Sequence, residues 1–121
     1  MKVYKVNNKN YEKHVLVGSF ERPAVVKFVS ENCHLCVNLK PVYRELAKMF
    51  DKQYSFFTVD TDEEPDMAKF FLTDGVPTIF TVKQGETKEL PYPYDNADEL
   101  TGYPKQYLID YLNKMTQPKE G

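Results

Sequence analysis

The chain has 121 residues, 41% of them apolar and 14% aromatic, with a formal net charge of −2. That is long enough for one domain with a real core and too apolar for a disordered chain. It holds no basic tract that would argue for nucleic acid and no run of about 18 apolar residues that would argue for a membrane-spanning helix.

Residues 2–6, "KVYKV", alternate and predict a short strand. Residues 7–18 predict a helix, capped by Asn7 or Asn8 and ended by Gly18. "PAVVKFVS" (23–30) is a nearly continuous Val-rich run. Such runs predict a strand buried on both faces, as in a sheet with helices on each side. In the next segment Leu39, Val42, Leu46, Met49 and Phe50 recur at helical spacing. Pro41 interrupts that pattern and predicts a kink, because it lacks a backbone donor and crowds the preceding turn. "YSFFTVD" (54–60) predicts another strand. "EEPDMAKFFL" predicts a short helix with acids at its positive end. "PTIFTV" (77–82) is again a buried strand, and Gln84-Gly85 turns into a further one. A last helix is expected from about Pro104, with Tyr107, Leu108, Tyr111, Leu112 and Met115 as its apolar face.

Strand–helix–strand order early in the chain implies parallel pairing through right-handed crossovers, and the late turn implies an antiparallel hairpin. The expected fold class is therefore α/β, with a mixed β-sheet of four to five strands sandwiched between helices. Residues 1–121 read as a single domain, with 115–121 as a frayed tail. The polar start does not read as a signal peptide, so a cytoplasmic location is expected.

The two cysteines of the chain lie in "NCHLC", residues 32–36. They fall where a central strand ends and a long helix begins, the edge of an α/β sheet that favours chemistry. Asn32 is expected to cap the helix, leaving Cys33 at its tip, where free N–H groups and the helix dipole favour a thiolate. Cys36 lies one turn on, within reach for a disulfide. The spacing suits thiol–disulfide exchange, with Cys33 attacking and Cys36 resolving the mixed disulfide. The alternatives are a zinc site or two small buried residues. A structural zinc site needs four ligands. Only Cys33, Cys36, the closely flanked His34 and the distant His14 are on offer, so no metal is expected. "DTDEEPD" lacks the glycine of a calcium loop, and no calcium is expected there.

"VVKFVSENCHLCVNLKPVYRELA" and "VDTDEEPDMAKFFLTDGVPTIFTVKQGE" together resemble the thioredoxin superfamily, over about residues 20–86. The carriers are the CxxC pair, Pro41 in the following helix, and Val76-Pro77-Thr78. The resemblance implies a thioredoxin fold and a protein disulfide oxidoreductase that works through a redox-active disulfide with no other cofactor. It implies a cis Val76-Pro77 bond beside the cysteines, with backbone groups of Val76 receiving an extended substrate segment. The implied partners are protein disulfides and, as electron donor, a reductase or glutathione. The chain is expected to be a monomer that binds neither nucleic acid nor membrane.

Four features depart from the family pattern. Asn32 stands where a Trp is usual, and His34-Leu35 where Gly-Pro is usual. His34 is a candidate for stabilising a thiolate when protonated. Lys27 stands where thioredoxins keep a buried Asp, and Phe56 where that Asp has a lysine partner. Lys27 is either buried with a depressed pKa, or packed along its stem with the ammonium in water. Finally, residues 89–104 form an apparent insertion with some likeness to protein disulfide isomerase domains. Its Tyr92, Tyr94 and Tyr103 either dock a partner or anchor the loop. These departures keep open a binding module with little turnover, and a glutaredoxin-like enzyme is a lesser alternative.

Overall fold

The computed structural model describes residues 2–72, 75–93 and 101–116. Five strands form one sheet in the order β1-β3-β2-β4-β5: β1 Val3–Lys5, β2 Ala24–Val29, β3 Ser55–Asp60, β4 Thr78–Lys83 and β5 Glu86–Glu89. β3 pairs in parallel with both β1 and β2, whereas β4 runs antiparallel to β2 and β5. The helices are α1 His34–Met49, α2 Pro65–Phe71 and α3 Lys105–Thr116. The mixed sheet and the order of elements are those expected from the sequence.

β2 lies in the middle of the sheet, which explains its apolar run: all but its last residue are buried. Its alternate side chains enter two different cores. Val25 packs with Phe56, Ile79, and Leu39, Tyr43 and Leu46 of α1, and with Leu108 and Leu112 of α3. Val26 and Phe28 pack on the other face with Phe57, Val59, Phe80, Tyr11, Val15 and Met67. Each fully buried side chain of this size contributes roughly 1.5–3 kcal/mol.

Gln84 and Gly85 both have positive φ, 51° and 80°, the backbone of a tight hairpin turn between β4 and β5.

Two predicted details are corrected. Residues 7–18 do not form one α-helix ending at Gly18. Asn7 Oδ1 accepts from the N–H groups of Lys9 (2.9 Å) and Asn10 (3.1 Å), and Asn10 Oδ1 accepts from Asn7 N–H (2.8 Å). Asn7 therefore caps the segment as expected, in a reciprocal pair with Asn10, and what differs is the helix type beyond it. A π-helical stretch Glu12–Val17 follows, then a 3-10 turn Gly18–Phe20, with Gly18 at an ordinary right-handed φ of −59°. Met49 is not part of the inner face of α1, being 51% exposed; Tyr43 and Ala47 are buried there instead.

The insertion is described at 89–93 and 101–104; Tyr94 lies outside the described residues, and of the expected tail 115–121, Met115 and Thr116 instead complete α3 while 117–121 lie outside the described residues. Tyr103 is fully buried. Its hydroxyl accepts from Ile79 N–H (3.1 Å) and donates to the Leu90 carbonyl (2.9 Å). Tyr92 stacks on it at 4.4 Å between ring centres. Both rings anchor the segment to the core. In "DTDEEPD", Asp60 Oδ1 accepts from Asp62 N–H, and Asp62 Oδ2 accepts from Ser30 Oγ and Glu31 N–H. These acids tie the loop to the end of β2.

Candidate active site

The cysteines sit just beyond β2. Cys33 has extended backbone (φ −105°, ψ 111°) and α1 begins at His34, so Cys33 itself is the N-cap. This corrects the expectation for Asn32, which is exposed and lies one residue too early to cap. Cys36 N–H donates to Cys33 Sγ at 3.0 Å. A sulfur here takes the place of the usual capping oxygen, and it meets one of the orphan donors of the first turn.

Cys33 and Cys36 are joined as a disulfide, with Cα atoms 5.1 Å apart. The two sulfurs have different surroundings. Cys33 is half-buried and Cys36 is 4% exposed. Once reduced, Cys33 would be the sulfur at the helix tip, and Cys36 the one held behind it.

The Val76-Pro77 bond is cis, and Pro77 is buried. The Val76 carbonyl oxygen lies 3.8 Å from Cys33 Sγ. Gly75 precedes it with φ 91°, and Thr78 Oγ1 donates to the Gly75 carbonyl at 2.6 Å. The Tyr92 hydroxyl donates to the Pro77 carbonyl. That contact links the insertion to the site, and no motif in the sequence announced it. Gly102 supports it: its φ is 76°, and a Cβ there would lie 3.0 Å from Tyr92 Cε1. His34 is exposed in the first turn of α1.

Lys27 lies on the face of β2 that looks toward α1, and is only 4% exposed. Its stem does not carry the ammonium out to water. Nζ lies 4.4 Å from the centre of the Tyr43 ring. Burial first, then repulsion from Lys40 and Arg44, lowers its pKa from 10.5 to about 8. Tyr43 in turn spends its hydroxyl on the carbonyls of Val25 (3.0 Å) and Phe57 (2.7 Å), so its ring is held fast beneath the ammonium. Phe56, the other departure in this region, is buried edge-on against Tyr43 at 5.4 Å. Lys27 and Cys36 line the same cavity. The sequence reading passed over Tyr43, although its place four residues after Leu39 puts it on the buried face of α1.

A family model described as thioredoxin matches residues 2–112. The chain is 30% identical to the chloroplastic M-type thioredoxin of Spinacia oleracea over 96% of its own length and 59% of that protein's. It is 29% identical to a thioredoxin of Staphylococcus haemolyticus, over 94% of its own length and 98% of that protein's. Thioredoxin H4 of Arabidopsis thaliana is 33% identical over 76% of this chain and 70% of its own.

Proposed function

The chain belongs to the thioredoxin family, shares its fold and is a thiol–disulfide oxidoreductase, and from that premise we propose that it reduces or exchanges disulfides of protein substrates. Cys33 is the attacking thiol. As thiolate it attacks one sulfur of a substrate disulfide, the other substrate sulfur leaves as thiolate, and a Cys33–substrate disulfide forms. Cys36 then loses its proton and attacks Cys33 Sγ. The Cys33–Cys36 disulfide closes, the second substrate sulfur leaves, and two electrons have passed to the substrate. A thiol donor, either a reductase or glutathione, returns them. The redox-active disulfide is the only prosthetic chemistry this cycle requires.

The observation that carries this assignment is the unequal setting of the two sulfurs. Cys33 stands at the helix tip beside the Val76 carbonyl, and Cys36 is buried behind it. Val76 and Pro77 are the floor on which an extended substrate segment lies, its backbone meeting that of Val76. The cytosol, where thiols are kept reduced and a lone cysteine pair serves transient chemistry, suits the cycle. A monomer is sufficient for it.

Two single variants test the assignment. Cys36→Ser should attack and then stall as a covalent complex with substrate, visible on a non-reducing gel. Cys33→Ser should barely react with alkylating reagents near neutral pH. Equal alkylation rates for the two variants would remove the asymmetry. Failure of Cys36→Ser to trap a disulfide substrate such as insulin would favour the binding module with little turnover. Comparing turnover on a thioredoxin reductase system with turnover on glutathione identifies the donor.

A further inference from the structure

Beside the resolving cysteine lies a cavity of about 650 Å³, between α1 and the β1–β3 side of the sheet. Five of its lining residues are cationic, Lys5, Lys27, Lys40, Arg44 and Lys48, and two are acidic, Glu31 and Asp60. Part of this charge is already matched. Lys5 is paired with Glu63 at 2.6 Å, and Asp60 accepts backbone N–H groups of its own loop. Glu31 lies within the field of Lys5, and Lys48 within that of Glu45, which leaves Lys27, Lys40 and Arg44 without an opposite charge among the described residues. Lys40, Arg44 and Lys48 recur every four residues, so α1 turns one basic stripe toward the cavity. Lys27, more than nine-tenths buried, is in no salt bridge among the described residues, and its ammonium rests on the aromatic face of Tyr43. A buried ammonium is ordinarily paired or hydrogen-bonded, because burying a bare charge is costly. Here it is also repelled by two neighbouring cations.

We propose that this cavity is a binding site for a small oxyanion, a phosphate group carried on an apolar body, held by Lys27 from below and by Lys40 and Arg44 from the helix. Arg44 offers the planar fork that takes phosphate oxygens two at a time, and Lys27 and Lys40 supply point charges. Val29, Val37 and Tyr43 line the same space and suit the apolar body. A phosphate fits this set better than a carboxylate because three cations require about two negative charges. Cys36 lines the same cavity, so binding is read on the oxidised chain, where no exchange takes place and a failure of the site is told apart from a failure of Cys33 and Cys36.

The test titrates the whole oxidised chain with inorganic phosphate and with phenyl phosphate, at constant ionic strength in chloride, following backbone amide shifts. Saturable shifts are expected at Lys27, Cys36 and the first half of α1, with phenyl phosphate the tighter of the two. Lys27→Met and Arg44→Gln should each weaken binding at least about tenfold. Lys83→Gln, which removes an exposed charge at the end of β4, should leave it unchanged. Benzoate serves as the carboxylate arm and should bind more weakly than phenyl phosphate. Shifts that do not saturate, or equal weakening by Lys83→Gln and Lys27→Met, would mean diffuse attraction to surface charge and would overturn the proposal. Benzoate binding as tightly as phenyl phosphate would overturn the assignment to phosphate.

Discussion

Replacing Lys27 by Met should make the protein more stable at neutral pH, by an amount that depends on pH in a defined way. Met keeps most of the stem and removes the charge. The ammonium has its pKa lowered from 10.5 to about 8 on folding. At roughly 1.4 kcal/mol per unit, that is a cost of about 3 kcal/mol to the folded state below pH 8. The contact with the Tyr43 ring opposes it by roughly 0.5–2 kcal/mol. Lys27→Met should therefore gain about 1–3 kcal/mol at pH 7. Between about pH 8 and 10.5 the unfolded wild-type chain still binds a proton that the folded chain has released. Wild-type stability accordingly rises through that window relative to the variant, and the variant's advantage fades. The measurement is urea unfolding of both chains at pH 7, 8.5 and 10 in chloride without phosphate, followed by far-ultraviolet circular dichroism. Only the difference between the chains is read, since tyrosine ionisation affects both. An advantage as large at pH 10 as at pH 7, or no advantage at pH 7, would refute the account of a buried, unpaired ammonium.

Gly102→Ala should lose about 1–2 kcal/mol in unfolding free energy from its left-handed backbone alone. It should also slow exchange, because the new Cβ presses on the Tyr92 ring that holds the Pro77 carbonyl; exchange at the wild-type rate would show that Tyr92 does not support the site. Tyr103→Phe should cost about 1–3 kcal/mol, measured by denaturant, since it strands the buried Ile79 N–H. Phe70→Ser should change the unfolding free energy, measured by denaturant, by less than about 1 kcal/mol, because Phe70 is 83% exposed and loses only its edge contact with Phe71.

Much of this architecture was legible because its signals are local. The Val-rich run of β2 reports burial on two faces, and Gln84-Gly85 reports a hairpin, from a few adjacent residues each. CxxC at a strand–helix junction is likewise a short-range signal with a direct chemical meaning. The parts that escaped depend on who sits opposite. Asn32 is a better capping residue than Cys33 by type, yet the helix begins one residue later, at His34, and a sulfur takes the cap. Asn7 and Asn10 cap one another reciprocally, as the type of Asn7 announces, but nothing in the residue types beyond Tyr11 reports that the following turns widen to a π-helix and then tighten to a 3-10 turn. Lys27 could be read as buried or reaching for water, and only the ring of Tyr43 and the cations of α1 decide which. Tyr92 reaches Pro77 across fifteen residues, and spacing alone cannot reveal such a contact.

The order of the strands also bears on how this chain coexists with its neighbours. Its sheet ends at β5, whose four residues, Glu-Thr-Lys-Glu, are three charged and one hydroxyl-bearing. The other margin is β1, only three residues long and ending in Lys5. An unpaired strand margin is a template on which any extended chain can crystallise into a shared sheet. Here the charges of β5 and the brevity of β1 act as fences against indiscriminate aggregation, and the place proposed for an extended segment, Val76, lies away from both margins.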